Sequence, residues 1–246
     1  MEDLDVDLGS VFPEEPRPAT PEPTVVIYER DEDIRDQDWR QLSIKLVGSH
    51  PLWGHHLWNA GRAVASFIDH HRSIASGYVL ELGAGGGLPG LAAAKNGAKH
   101  VLLTDYPDTA LIHTLETNVQ QNAASNVSVK GYIWGRPVEP LLDMAPGGFD
   151  LIILSDLVFN HSQHDALLDT CIKCLAKTAE ARVLVFYTHH RPHLASRDLE
   201  FFQKARERGW TTEQVVRNTE YGVMFEEDGG DAEVRSTVHG WELRRV

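Results

Sequence analysis

The chemistry legible in this chain begins with YVLELGAGGGLPGL, residues 78–91, where an apolar run breaks into glycines and resumes in a helical pattern. Tyr78, Val79, Leu80 and Leu82 read as a buried strand, Gly83, Gly85, Gly86 and Gly87 as a turn without Cβ atoms, and Pro89 as the first helical position. Such a loop lets backbone approach a ligand closely, and the helix start offers unpaired N–H groups with a partial positive charge. A nucleotide-like molecule is the guest expected there. A tight turn alone would need only one or two of these glycines. The strand at 101–104 leads to Asp105, 22 positions after Gly83, where a carboxylate can accept ribose hydroxyls. Gly85, Gly87 and Gly90 also satisfy GxGxxG, so these residues alone leave a nicotinamide-dependent oxidoreductase open.

Cysteine and histidine offer further chemistry. Cys171 and Cys174 form a CxxC, yet they fall in a stretch where Leu167, Leu168, Cys171 and Leu175 keep helical spacing, and no second cysteine pair exists to complete four ligands. They read as buried helix residues. His55 and His56, His161 and His164, and His189, His190 and His193 could be drawn as a metal site, but chance pairing is high with 13 histidines in the chain. These side chains read as hydrogen-bonding groups of loops and of an acceptor pocket, and no metal is expected.

The elements that must position these residues alternate. The strands expected in the main sheet span 78–82, 98–104, 126–133, 149–154, 182–187, 212–216 and 237–243. Helices are expected at 89–96, 108–121, 165–177 and 195–209, with Asp108 capping the second. Ala63, Val64, Phe67, Ile68 and His71 mark a further helix before the glycine loop. The expected fold class is α/β: a doubly wound, mostly parallel sheet of seven strands closed by an antiparallel hairpin, with a polar insert at 218–235 joining its last two strands. β-like segments at 24–28 and 41–47 flank a charged run at 29–38, and suggest a peripheral extension over 25–50 of a domain spanning 25–246. Residues 1–24 carry five prolines among acids and are expected to be a flexible tail. The net charge of −13 argues against nonspecific nucleic-acid binding and favours a basic partner. No apolar run approaches the ~18 residues needed to cross a bilayer, so no membrane partner is expected. The acidic start resembles neither a secretory nor a transit signal, which points to the cytoplasm.

From about Trp39 to the end, the chain resembles the lysine-type branch of the seven-strand S-adenosyl-L-methionine-dependent methyltransferases. It is most similar to the fungal elongation-factor N-terminal and lysine methyltransferases. GHHLWNAG (54–61), LELGAGGGLPGL (80–91) and SDLVFNHSQH (155–164) carry the resemblance, supported by TDYPD (104–108) and YIWG (132–135). It implies that the backbone at Gly83, Ala84 and Gly85 contacts the cofactor's amino-acid part and that Asp105 holds the ribose hydroxyls. It further implies Trp134 near the adenine, Ser155 beside the same crevice, and Trp58 against the cofactor's far side. Trp39, Trp53, Trp210 and Trp241 read instead as core.

Methyl transfer from a sulfonium requires no enzyme nucleophile, only in-line placement of a neutral amine. A free α-amine with a pKa of about 8 is partly neutral in the cytosol, whereas a lysine at about 10.4 must give up near 4 kcal/mol to lose its proton. The resemblance places Asp156, Phe159 and Asn160 in the acceptor motif, with Asp156 and Asn160 orienting the amine and Phe159 walling the channel. It implies translation elongation factor 1-alpha as the partner, methylated at its N-terminal glycine amine and adjacent lysine. A nicotinamide-type small-molecule N-methyltransferase and a noncatalytic adenosyl-ligand-binding module are the competing readings.

Overall fold

Leu42, Ile44 and Leu46 alternate with polar residues, which makes 41–46 a strand with one buried face. In the computed structural model, β1 (Thr24–Glu29) and β2 (Gln41–Leu46) pair antiparallel as a two-stranded sheet. The structure describes residues 21–34 and 39–246. The expected tail therefore lies outside the described residues over 1–20, as does the end of the charged run at 35–38.

The main sheet follows. α1 (Asn59–His70), β3 (Tyr78–Leu82), α2 (Leu88–Lys95), β4 (His100–Asp105), α3 (Thr109–Gln121) and β5 (Val127–Gly131) build one half. A single helical turn, α4 (Glu139–Leu142), leads to β6 (Leu151–Ser155), α5 (His164–Cys174), β7 (Arg182–Thr188) and α6 (Ala195–Glu207). β8 (Trp210–Asn218), α7 (Ala232–Ser236) and β9 (Val238–Arg245) complete the chain. The strand order is β5-β4-β3-β6-β7-β9-β8. The neighbours from β5 through β7 are parallel, and β9 runs antiparallel to both β7 and β8. This is the Rossmann-like, seven-strand α/β architecture expected from the alternation.

Several boundaries differ from the sequence expectation, each for a physical reason. Leu88 rather than Pro89 is the first residue of α2, because Gly87, at φ +75°, already serves as its N-cap. β6 starts at Leu151 and not at Phe149, whose N–H and carbonyl instead bond Cys174 and Ala176 at 2.8 and 2.9 Å. β5 stops at Gly131, where Pro107 lies so close that a Cβ would meet it at 2.8 Å. The closing strands are longer than expected, and the insert between them contains α7, whose N-cap is the Asp231 carboxylate.

Period-two alternation along the central strands divides the core into two layers. Val79, Val101, Leu103, Ile153 and Leu184 face the layer formed by β2, α1 and α2, while Leu80, Leu102, Ile152, Leu154 and Val185 face α5 and α6. Cys171 and Cys174 lie within the second layer, and burial pushes both thiols up.

Among the described residues the outer edge of β2 has no strand partner, and side chains of α3 bond its backbone instead. The Asn122 side chain accepts from the Ser43 N–H at 3.0 Å and donates to the Ser43 carbonyl at 2.8 Å. One helical turn earlier, Asn118 accepts from the Lys45 N–H at 2.8 Å and donates to the carbonyls of Lys45 at 2.8 Å and Gly86 at 2.9 Å. Two asparagines at i and i+4 therefore match two strand residues at i and i+2. Asn118→Ala leaves one buried and two part-buried backbone groups without their partner and should destabilise the chain by about 2–4 kcal/mol in urea unfolding. Asn118→Asp, which turns a carboxylate towards two carbonyls, should cost more than the alanine; the reverse order would show that the amide does not hold those carbonyls.

Candidate active site

Strand register creates the site. Leu82 pairs with Thr104 on one side and with Leu154 on the other, so the residues that follow, Gly83, Asp105 and Ser155, leave the sheet side by side. β3 is also where the strand order reverses, and open α/β sheets hold ligands at the carboxyl ends of the strands flanking such a switch. Asp105 pairs in turn with Gly131, which delivers Trp134 to the same edge.

The glycine loop crosses this edge with left-handed backbone at Gly83 (φ +62°), Gly85 (φ +54°) and Gly87 (φ +75°). A Cβ at Gly85 would meet no atom within 4 Å, which leaves its backbone open to the cleft, whereas one at Gly83 would strike Leu157 at 2.7 Å. The Asp105 carboxylate organises the loop from below, accepting the Gly85 N–H and the Tyr106 N–H at 2.7 Å each. Burial raises the Asp105 carboxyl above its ordinary value, and these two N–H groups oppose the rise. Each oxygen keeps further acceptor capacity after those bonds.

On the other side of the crevice, Asp156 is a non-glycine residue with φ +52° and is 5% exposed. Its Oδ1 accepts from the Thr188 N–H and meets His190 Nε2, both at 3.1 Å, while its buried Oδ2 has no hydrogen-bond partner among the described residues. Burial alone would lower His190, but the charge and hydrogen bond of Asp156, together with the Asp198 carboxylate, raise it, and the imidazole stays above its ordinary value. Asn160 turns inward on its own loop, its side chain accepting from the Ser162 hydroxyl at 3.0 Å.

These groups enclose two connected spaces. A cleft of about 590 Å³ is lined by Gly83, Ala84, Gly85, Asp105, Trp134 and Ser155, and also by Trp58, Asp156, Phe159 and Asn160. All ten residues singled out from the sequence for the cofactor and the acceptor thus border one cavity. An outer groove of about 830 Å³ shares Trp53, Trp58, Asp156, Phe159 and Arg191 with the cleft and extends along His193, Phe225 and Asp228.

Trp53 departs from its expected place in the core. It is 50% exposed, with φ +62°, and stands at the junction of the two spaces; the Trp58 indole N–H donates to its carbonyl at 3.3 Å. Trp39 and Trp210 are buried as expected. Among the histidines, His56 packs against Trp58 at 5.3 Å, and His190 packs against the same Trp58 ring at 4.8 Å. His161 and His189 share the buried Asp198 carboxylate at 2.7 Å each, which ties the loop after β6 to the loop after β7 through α6. Glu81 stands in the sequence as the acidic residue of the glycine motif with no role assigned to it, and Arg191 and Phe225 carry no local signal.

The profile of the lysine methyltransferase family matches residues 37–208. The chain belongs to that family. A Schizosaccharomyces pombe relative, the protein N-terminal and lysine N-methyltransferase efm7, is 43% identical over 252 residues, covering 99% of this chain and 98% of its own. The Candida glabrata protein of the same name is 45% identical over 240 residues, covering 94% and 93%. Solved structures share the fold at low identity. One from Streptococcus mutans, described as a SAM-dependent methyltransferase, has a TM-score of 0.58 at 14% identity, over 82% of this chain and 53% of that one. A methyltransferase solved with S-adenosylhomocysteine has a TM-score of 0.54 at 13% identity, over the same shares. Membership of the lysine methyltransferase family closes the nicotinamide-dependent oxidoreductase reading that GxGxxG had left open.

Glu81 lies beneath the cleft, where its Oε2 accepts the Gly90 N–H in the first turn of α2 at 2.8 Å. Burial pushes its carboxyl up to about 8, against the pull of that N–H and with the added repulsion of Asp105. Between 4.5 and about 8 the folded chain holds a proton that the unfolded chain has released, so stability should fall as pH rises through that window. Glu81→Gln keeps an acceptor for the Gly90 N–H and removes the titration. The decline of melting temperature across the window should flatten in this variant; an unchanged slope would exclude Glu81 as its source.

Proposed function

We propose that this chain is a protein amine methyltransferase that acts on the N-terminal glycine α-amine and the adjacent lysine of translation elongation factor 1-alpha, in the cytoplasm. The observation that carries the acceptor side is the unpartnered Oδ2 of Asp156, buried where the cleft opens into the outer groove. A buried carboxylate oxygen without a donor is costly, and an amine entering from the groove supplies the missing N–H. The names of the relatives, protein N-terminal and lysine N-methyltransferases, point to the same acceptor class. Among the described residues no helix is long and apolar enough to cross a membrane.

The cleft's donors and acceptors fit S-adenosyl-L-methionine. The stretch Gly83, Ala84 and Gly85, which lines the cleft and is open at Gly85, suits the amino-acid end, the remaining lone pairs of Asp105 suit ribose hydroxyls, and the indole of Trp134 suits an adenine face, with Ser155 and Trp58 closing the sides. When bound, the cofactor supplies a methyl group already activated on a sulfonium.

The chain's own residues then have three tasks. Asp156 accepts an amine N–H and, with Asn160, orients the nitrogen, while Phe159 walls the passage. Trp53 and Trp58 narrow the junction and exclude water from it. The groove aligns the segment behind the amine, so that proximity lowers the barrier. A nicotinamide-sized acceptor would leave the outer groove unused.

Asp105→Ala should weaken S-adenosylhomocysteine binding roughly tenfold to a hundredfold by calorimetry while the domain stays folded. Unchanged affinity in a folded variant would remove Asp105 from the cofactor site. N-acetylated or N-terminally extended elongation factor should lose label at the terminal nitrogen in mass spectrometry, and nicotinamide should be a poor acceptor. Comparable label on nicotinamide would sink the protein-acceptor reading.

A further inference from the structure

The polar insert between β8 and β9 is built against the acceptor groove. Arg235, itself buried, donates from Nη1 to the Phe225 carbonyl at 2.8 Å, and the Asn59 side chain donates to the Gly222 carbonyl at 2.9 Å. At its far end Gly230, with φ +104°, lies so close to Pro192 that a Cβ would meet the ring at 3.1 Å. These contacts set the Phe225 ring against His56 at 5.0 Å and Trp58 at 6.0 Å, as part of the groove wall.

Directly after Phe225 come Glu226, Glu227 and Asp228, all exposed, and none forms an ion pair among the described residues. The acids nearby are already engaged. Asp231 caps α7, and Glu233 meets Arg217 at 3.2 Å. Asp228 lines the groove, as does Arg191, whose guanidinium donates to the Phe159 carbonyl at 3.4 Å. The groove is therefore bordered by Asp228 and by Arg191, and it shares with the cleft the 5% exposed Asp156, whose Oδ2 has no hydrogen-bond partner among the described residues.

We infer that Phe225 and Asp228, flanked by Glu226 and Glu227, form a cation subsite that reads the side chain following the methylated amine. The inference rests on the proposed protein-acceptor reading and adds to it the residues that select the segment. With an amine at Asp156, an extended chain advances about 3.3 Å per residue into the outer groove. A lysine or arginine at the next position is repelled by Arg191 and turned towards the insert. There its charge meets Asp228 and its methylenes lie along an aromatic ring. The occupant is an extended N-terminal segment with a basic second residue.

The test uses the full chain and synthetic peptides with free N-termini that differ only at the second residue, arginine or glutamine. Arginine carries charge without being a methyl acceptor, so label reports the α-amine alone. Wild-type enzyme should prefer the arginine peptide in kcat/KM by roughly twofold to fivefold, with a preference that shrinks as salt rises. In E226Q/E227Q/D228N the ratio should fall towards one, while calorimetry with S-adenosylhomocysteine verifies a folded cofactor site. Asp228→Lys should shift the preference towards a glutamate peptide. An unchanged ratio in the triple variant overturns the cation subsite and leaves the N-terminal acceptor standing. No label on either peptide from wild-type enzyme overturns both.

Discussion

One buried amide holds the cofactor side of this protein together. Asn118 bonds both backbone groups of Lys45 in β2 and the carbonyl of Gly86 in the glycine loop, so the N-terminal hairpin, α3 and the loop are fixed relative to one another. Packing reinforces the tie. A Cβ at Gly86 would strike Ile44 at 2.5 Å and Leu46 at 3.0 Å, so β2 forms the rear wall of the loop whose front opens to the cleft. The hairpin is anchored at its other end by Arg30, buried under α1, where it meets Asp69 at 3.3 Å and lies 4.3 Å from the centre of the Trp39 ring. What reads in the sequence as a peripheral extension therefore supports the cofactor site.

The acceptor side depends on strain held by its neighbours. Asp156 and Trp53 both sit at positive φ without being glycine, a conformation that costs about 1–3 kcal/mol each and persists where surrounding bonds over-determine it. Asp156 is held through its own N–H by the Phe186 carbonyl at 2.8 Å and through Oδ1 by Thr188 and His190. Asp198, which bonds His161 and His189, keeps the two loops that frame Asp156 in register. The two strained residues flank the passage between cleft and groove, where a relaxed backbone would point their side chains elsewhere.

Much of the fold was legible because it is local. An apolar run, a set of glycines and a helical pattern occur within residues 78–91, and the alternation of strands and helices continues to the end of α6. Errors fell where local pattern and tertiary pairing compete. Phe149 looks like strand but gives its backbone to the end of α5, and Tyr132 looks like strand yet keeps only its N–H bond to the Asp105 carbonyl, at 2.8 Å, beyond the last paired residue Gly131. The candidate site was legible to the extent that its residues sit at strand ends: Gly83, Asp105 and Ser155 could be ranked from order alone, since a parallel register brings such ends level.

By itself the sequence determined the α/β class, the glycine loop with its acid on the next strand, and the family motifs around Trp58 and Asp156. Those features depend on neighbours a few residues apart, or on a strand repeat that any parallel sheet obeys. Only the tertiary structure decided that Trp53 stands at the junction rather than in the core, that Phe225 joins Trp58 across 167 positions of chain, and that Asn118 reaches back 73 positions to β2. It also decided that Glu81 holds a proton near neutral pH, because a carboxyl's charge state follows from the water removed around it and not from its place in a motif.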